Sequence, residues 1–151
     1  MRKTILKNIA AKAVLILSFL IPREAGAQSV DFIDALRYYR EGDAEKALST
    51  FRKEIALHPD NDAAYFYMGS LLHENGRQGD AELAEESLRK AVELDSSNYW
   101  YTYMLALFYE ESGRSELATP LLEGLIGRYP KKSSLYFDTA RAYLKQNDIE
   151  G

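Results

Sequence analysis

The sequence contains no cysteine among its 151 residues, and only two histidines, His58 and His73. The fold therefore has no disulfide to hold it together, and a cysteine nucleophile is excluded. A Ser-His-Asp triad has little to build on. His73 and Glu74 resemble the start of a zinc-protease motif, but position 77, where that motif needs its second histidine, is arginine. We therefore predict a protein without enzymatic activity, metal or cofactor.

Basic residues are also in deficit, since the chain has 19 Lys and Arg against 23 Asp and Glu, a net charge of −4. Residues 1–27 hold five of the basic residues and one of the acidic ones, so the remainder of the chain carries −8. Proteins that bind nucleic acid gain affinity by neutralising phosphates with Lys and Arg. The charge therefore argues against a nucleic-acid partner.

No apolar run is long enough to span a membrane, which takes about 20 residues. The longest, residues 13–21, follows four basic residues and is closed by Pro22 and the small residues at 25–27. This order is typical of a secretory signal peptide. We predict cleavage after Ala27 and no integral membrane span afterwards, which makes the protein periplasmic or secreted, in a bacterium. An uncleaved membrane anchor is the alternative.

The rest of the chain, residues 28–151, repeats itself. Turn residues recur at spacings of 37, 34 and 34, and small residues at spacings of 34, 37 and 34. Three extra residues therefore lie between Gly69 and Gly79. The repeats predict units at 28–61, 62–98, 99–132 and 133–151, the last incomplete. The turn residues are Gly42, Gly79, Gly113 and Asn147, and the small residues are Ala35, Gly69, Ala106 and Ala140.

Apolar residues within each unit recur at helical spacing, which predicts two amphipathic helices joined by a tight turn. In unit three the two stripes are clearest. Pro120 is expected in or near the first turn of the second helix, where its missing N–H has no partner. The stripes are Tyr101, Leu105, Phe108 and Tyr109, and then Leu117, Leu121, Leu122 and Leu125.

These units resemble the tetratricopeptide repeat, a 34-residue helix-turn-helix unit with the pattern W-x2-L-G-x2-Y, A-x3-F and P. The resemblance covers residues 30–150 and implies an all-α, right-handed α-solenoid whose first helices line a concave groove. Unit three matches through Thr102, Leu105, Ala106, Tyr109, Ala118, Leu122 and Pro130, and unit two through Tyr65, Met68, Gly69, Leu72, Ala84, Leu88 and Ser96.

The resemblance also implies which side chains face a partner in the groove. Helical phase directs four of the aromatic residues, Phe66, Trp100, Tyr103 and Phe137, away from the core. Other tyrosines are expected in the core, namely Tyr65, Tyr101, Tyr109, Tyr136 and Tyr143. The acidic pairs 85–86 and 110–111 are expected to be solvated. The predicted partner-binding residues are Phe66, Tyr67, His73, Trp100, Tyr103, Met104, Leu107, Phe137 and Arg141.

The sequence therefore predicts an exported scaffold that binds a peptide segment or helix of another protein through an aromatic groove. Arg40, Glu110, Glu111 and Arg141 are expected to set its charge preference. Two alternatives remain open: a glycan-binding accessory of the cell envelope, and a sensor or assembly arm of a larger protein with its activity beyond Gly151. The unfinished fourth unit indicates a chain cut from a longer reading frame. The sequence identifies neither the partner nor the oligomeric state.

Overall fold

The computed structural model describes residues 29–76 and 79–147. The predicted signal peptide at 1–27 and the last four residues of the fourth unit lie outside this part of the chain. Within it the structure has seven α-helices and no strand. They are α1 (Val30–Glu41), α2 (Ala44–Leu57), α3 (Asp62–Asn75), α4 (Asp80–Leu94), α5 (Tyr99–Glu111), α6 (Ser115–Arg128) and α7 (Ser133–Asn147).

Polar side chains fix where the first helix of each pair begins. Ser29, Asn61 and Asn98 precede α1, α3 and α5, and each accepts a hydrogen bond from a backbone N–H of the first turn. Such caps satisfy donors that have no partner inside the helix, and each contributes about 1 kcal/mol. Asn61 also donates to the buried carboxylate of Glu54 at 2.8 Å, so the cap ties the start of α3 to α2.

Glycines with left-handed backbone angles close the turns inside the pairs. Gly42 and Gly113 have φ of 79° and 75°, a conformation that side chains disfavour. The turn between α3 and α4, which holds the three extra residues, has two such glycines. Gly76 (φ 56°) ends α3, and Gly79 (φ 99°) precedes α4. The additional residues thus require a second left-handed position.

The helices pack as antiparallel pairs, α1 with α2, α3 with α4 and α5 with α6, and each pair packs against the next. Small residues lie where the helices approach most closely, as the repeat spacing predicts. Ala35, Ala47, Ala84, Ala106 and Ala118 are all buried. Ala140 is exposed, because no described helix covers that side of α7.

One core runs through all three pairs. Burying a leucine or phenylalanine contributes about 1.5 to 3 kcal/mol, so this core is the main source of stability. Phe51 of α2 lies parallel to the ring of Tyr67 of α3, with centroids 6.0 Å apart, and joins the first two pairs. The largest fully buried apolar side chains are Phe32, Phe51, Phe66, Leu72, Leu88, Phe108, Leu122, Leu125 and Leu135.

Two expectations about α3 were wrong. Phe66, expected to point away from the core, is 2% exposed and lies 4.8 Å from the ring of Tyr101. Tyr67, expected in the groove, is buried against Phe32 and Phe51. The cause is the central position of α3, which has α2 on one side, its own partner α4 on another and α5 beyond them. Helical phase alone does not reveal how many neighbours cover a helix.

The core assignment of two tyrosines in α7 was also wrong. Tyr136 and Tyr143 are 49% and 44% exposed. The hydroxyl of Tyr136 donates to the carbonyl of Pro130 in the turn before α7, and that of Tyr143 donates to the carboxylate of Glu123 on α6, so neither ring enters a core. The equivalent positions of complete units are covered by a second helix, and none is described after α7.

Pro120 does not lie in the first turn of its helix. Helix α6 begins at Ser115, so Pro120 is its sixth residue, and the missing N–H would have bonded the carbonyl of Glu116. The side chain is exposed. The helix therefore continues through the proline at the loss of one internal hydrogen bond.

Candidate functional site

Side chains of successive first helices touch one another on one side of the array, which we call the first-helix face (α1, α3, α5 and α7). The hydroxyl of Tyr39 on α1 donates to Glu74 on α3 at 3.4 Å. His73 on α3 bonds Glu111 on α5 at 2.9 Å. Glu110 on α5 accepts from Arg141 on α7. These contacts link the four helices in order.

Helix α5 is apolar on two sides, and only one of them is fully buried, whereas the apolar residues of α3 are nearly all buried. One side, with Tyr101, Leu105 and Phe108, is buried in the core. Four other apolar residues of this helix stay partly exposed after packing. They are Trp100, Tyr103, Met104 and Leu107.

Helix α7 adds the most exposed aromatic residue of the face. Phe137 is 69% exposed, and the guanidinium of Arg141 lies 5.9 Å from the centre of its ring. Leu144 is likewise exposed. Together with α5, these side chains form an apolar surface that also carries the cationic groups of Arg141 and Lys145.

His73 is held by neighbours rather than free in solvent. Its ring makes an edge contact with Phe108 at 5.2 Å, and its Nε2 lies 2.9 Å from the carboxylate of Glu111. The hydrogen bond from His73 holds the pKa of the Glu111 carboxyl below its usual range. His73 therefore connects α3 to α5.

Glu110 is 4% exposed, which contradicts the expectation of a solvated acidic pair. Its two carboxylate oxygens accept from Arg141 Nε and Nη2 at 2.5 and 2.9 Å, and Lys145 Nζ adds a bond of 2.9 Å. Burial opposes ionisation of Glu110, yet these cations outweigh it and lower the pKa of its carboxyl. The two adjacent glutamates therefore differ, because Arg141 and Lys145 of α7 pack onto Glu110, whereas the side chain of Glu111 stays 43% exposed.

Four aromatic rings meet where α5 begins, and we call Tyr99, Trp100, Tyr103 and Tyr129 the aromatic cluster. Tyr99 and Tyr103 stack at 5.4 Å with an angle of 15°, and Trp100 and Tyr129 stand perpendicular to Tyr99 at 5.0 and 5.2 Å. The sequence prediction included only Trp100 and Tyr103. Tyr129 is added by the end of α6, 26 residues further along the chain than Tyr103, and no local pattern indicates it.

The hydroxyl group of Tyr103, on the polar side of this cluster, contacts α7. The hydroxyl of Tyr103 donates to Asp138 Oδ2 at 2.8 Å, and Arg141 pairs with Asp138 Oδ1 at 3.1 Å. Burial, together with the bond to this carboxylate, raises the pKa of Tyr103 above its usual range. Asp138 is itself buried. The ring of Tyr103 is therefore fixed in place from α7.

A second depression, absent from the sequence predictions, lies between α2, α3 and α4. Its floor is apolar, with Ile55, Met68 and Leu83, and acidic side chains of α4 line its rim, among them Glu82 and Glu86. Arg89 and Lys90 also line it, and each pairs with a glutamate of α4. It is separate from the first-helix face and has no aromatic cluster.

Across 29–76 and 79–147, no three His, Asp or Glu side chains converge as metal ligands would. None of the helices described is both long and apolar enough to cross a bilayer. The arrangement present is one of rings, apolar side chains and ion pairs, which suits binding.

Solved structures with the same fold share little sequence with the chain. One is MamA 41-end from Desulfovibrio magneticus RS-1, which matches with a TM-score of 0.70 and 20% sequence identity. The match covers 82% of this chain and 71% of that one. The MamA RS-1 ArsTM double mutant matches with a TM-score of 0.70 and 21% sequence identity, over 82% of this chain and 70% of that one. The type III secretion translocator chaperone SycD of Yersinia enterocolitica matches with a TM-score of 0.66 and 16% sequence identity, over 89% of this chain and 94% of that one.

No curated protein matches the chain in sequence. The family model described as tetratricopeptide repeat matches residues 35–99 and 77–133, which together span well over half of the chain. The helix pairs, the turn glycines and the buried small residues fit that match. The chain belongs to the tetratricopeptide repeat family.

Proposed function

We propose that the protein is a scaffold whose first-helix face binds a segment of another protein. The observations that carry this proposal are the second apolar side of α5, where Trp100, Tyr103 and Leu107 stay partly exposed, and the exposed ring of Phe137 on α7. Tryptophan and tyrosine are the residues that most often anchor interfaces, and an exposed apolar patch usually marks a binding surface.

The ion pairs of the face support the same function. Because Arg141 and Glu110 already hold α7 against α5, the apolar side chains are positioned before a partner arrives. A surface that is ordered in advance binds with a smaller entropy cost. Among the proteins of similar fold, SycD is a chaperone, and another similar structure is that of a CopN-Scc3 complex. Those are other proteins, but they agree with a binding role for this fold.

We test the proposal with peptides selected from a displayed random library against the full chain. Replacing Trp100 and Tyr103 together with alanine is expected to weaken the selected peptides about tenfold or more, because two anchors are lost. The matched control is the double variant Leu94→Ala and Leu117→Ala, which removes two exposed apolar side chains from the second helices α4 and α6. It should bind as the wild type does.

Two outcomes overturn the proposal. One is equal binding by the wild type and the Trp100→Ala, Tyr103→Ala variant, with both keeping their helical circular dichroism. The other is equal weakening by the control variant. Oligosaccharides of the cell envelope, titrated against the fluorescence of Trp100, the single tryptophan, test the glycan alternative. A saturable response to them in place of peptides would replace the proposed partner.

We also propose that the protein is exported. Support comes from the sequence of residues 1–27 alone, with its basic start, short apolar run and small residues before position 28. Mass spectrometry of the protein purified from an expressing bacterium is expected to find a chain beginning at Gln28. A cytoplasmic protein that keeps residues 1–27 would contradict export.

A further inference from the structure

The ammonium group of Lys132 lies among the rings of the aromatic cluster. Its Nζ is 3.8 Å from the ring centre of Tyr99, 5.6 Å from Trp100 and 6.0 Å from Tyr129. Trp100 and Tyr129 each stand at 88° to Tyr99, so Tyr99 forms a floor and the other two rings form walls. Cations within about 6 Å of a ring centre are attracted by its electron-rich face.

Lys132 is a weakly held occupant of this position. The residue is exposed, and no ion pair with a carboxylate is found for it in the described part of the chain. Its backbone is fixed, since its N–H donates to the carbonyl of Tyr129 at 3.0 Å. Only the long, flexible side chain must move to vacate the cluster. Cation–π attraction is weak at exposed sites, so another cation can take its place.

The surroundings favour a cation over a neutral or anionic group. The buried carboxylate of Asp138 holds Tyr103, whose ring stacks on Tyr99 from the neighbouring turn of α5. Residues 28–151 carry a net charge of −8. The overall charge attracts a positively charged segment and accelerates its association, whereas Asp138 is already paired with Arg141.

We propose that the aromatic cluster binds a lysine side chain of the partner segment, which displaces Lys132. The inference rests on the proposed function, because Trp100 and Tyr103 belong to both sites, and it adds the chemistry of the partner. The segment would be basic at the position that meets the start of α5 and apolar where it meets Leu107 and Phe137. Lys132 acts as an internal competitor whose effective concentration is set by its short tether.

The probe is N-acetyl-lysine methylamide, titrated into the full chain while the fluorescence of Trp100 is recorded. Its neutral analogue, N-acetyl-norleucine methylamide, shows the contribution of the charge. Lys132→Ala is expected to bind the lysine probe about threefold or more tightly than the wild type, because the competitor is gone. Lys131→Ala, the matched control, changes the net charge equally at the neighbouring position and should bind as the wild type does.

Three results would overturn the inference: equal affinities for Lys132→Ala and Lys131→Ala, equal binding of the norleucine probe, or no saturation by the lysine probe below about 100 mM. An independent readout is the NMR shift of the Lys132 ε-methylene protons. Ring currents of the aromatic cluster should move these proton resonances upfield. A random-coil chemical shift would contradict the position of Lys132 over the rings.

The results also separate the two proposals. If library peptides bind the first-helix face but the lysine probe does not bind, only the lysine assignment fails. If the lysine probe binds but no peptide depends on Trp100 and Tyr103, the aromatic cluster is a cation site and the scaffold function fails.

Discussion

Replacing Gly69 with valine is expected to lower the free energy of unfolding by about 3 kcal/mol or more. Gly69 lies in α3 where it meets α4. A Cβ added there would lie 2.8 Å from Leu88 Cγ, 3.0 Å from the carbonyl oxygen of Ala84 and 3.0 Å from the backbone nitrogen of Leu88. Two of these three atoms belong to the backbone, so α3 and α4 must separate to admit a side chain.

Alanine at the same position separates packing from helix propensity. Gly69→Ala gains about 1 kcal/mol in propensity but incurs an overpacking cost of about 1 to 3 kcal/mol, so a net loss of about 1 kcal/mol is expected. The control is Gly124→Ala at an exposed position of α6, where an added Cβ has nothing within 4 Å. That change should stabilise the protein by about 0.5 to 1 kcal/mol.

Urea unfolding followed by circular dichroism measures all three variants. We expect the free energy of unfolding to be highest for Gly124→Ala, followed by the wild type, Gly69→Ala and Gly69→Val. If Gly69→Ala is as stable as Gly124→Ala, the close approach of α3 and α4 is wrong. Such a result would also remove the reason for a small residue at this point of the repeat.

Arg141→Met is expected to lower the free energy of unfolding by about 2 kcal/mol, and to do so through α7. The change removes two of the three hydrogen bonds that hold the buried carboxylate of Glu110 and leaves only Lys145. Breaking a fully buried ion pair costs about 3 to 5 kcal/mol, and the smaller value here reflects the remaining cation and the partial exposure of Arg141.

The pH dependence of stability follows from the same group. The pKa of Glu110 is lower in the folded protein than in the unfolded chain. The ion pairs of Glu110 therefore contribute their full stabilisation of the folded protein when the pH is above the pKa of glutamate in the unfolded chain, about 4.3. This contribution is lost as the pH falls through the lower pKa of Glu110 in the folded protein. The difference in stability between the wild type and Arg141→Met should accordingly be largest near pH 7 and shrink below about pH 4.

Arg89→Met is the matched control for this prediction. Arg89 lies 3.9 Å from Glu85 on the surface of α4, and an exposed pair of this kind contributes at most about 1 kcal/mol. Hydrogen exchange should show faster exchange in α7 for Arg141→Met and no change for Arg89→Met. Equal stability and equal exchange for the two variants would mean that Glu110 and Arg141 do not join α5 to α7.

The architecture could be predicted because it depends on local spacing. Gly42, Gly113 and the buried alanines recur at fixed intervals, and each has a physical reason to be small that does not depend on distant residues. The position of the extra residues followed from the same spacing, since the change from 34 to 37 falls between Gly69 and Gly79. Two left-handed glycines are found there.

Burial could not be predicted in the same way. Helical phase gives the direction of Phe66 relative to α3, but the neighbouring pairs decide whether that side is covered. The difference between Glu110 and Glu111 likewise depends on Arg141, about 30 residues away in the sequence. Helical phase and the family resemblance predicted Trp100 and Tyr103 for the groove, whereas Tyr129 and Lys132 join them only through the packing of α6 and the turn that follows.

The central claim, that the first-helix face binds a protein segment, is tested most directly by NMR. A peptide selected on the full chain is added to the isotope-labelled protein, and shift changes are mapped. Binding at the first-helix face predicts the largest changes at Trp100, Tyr103 and Leu107 on α5 and at Phe137 on α7. Changes confined to α2 and α4, around Ile55 and Leu83, would contradict it.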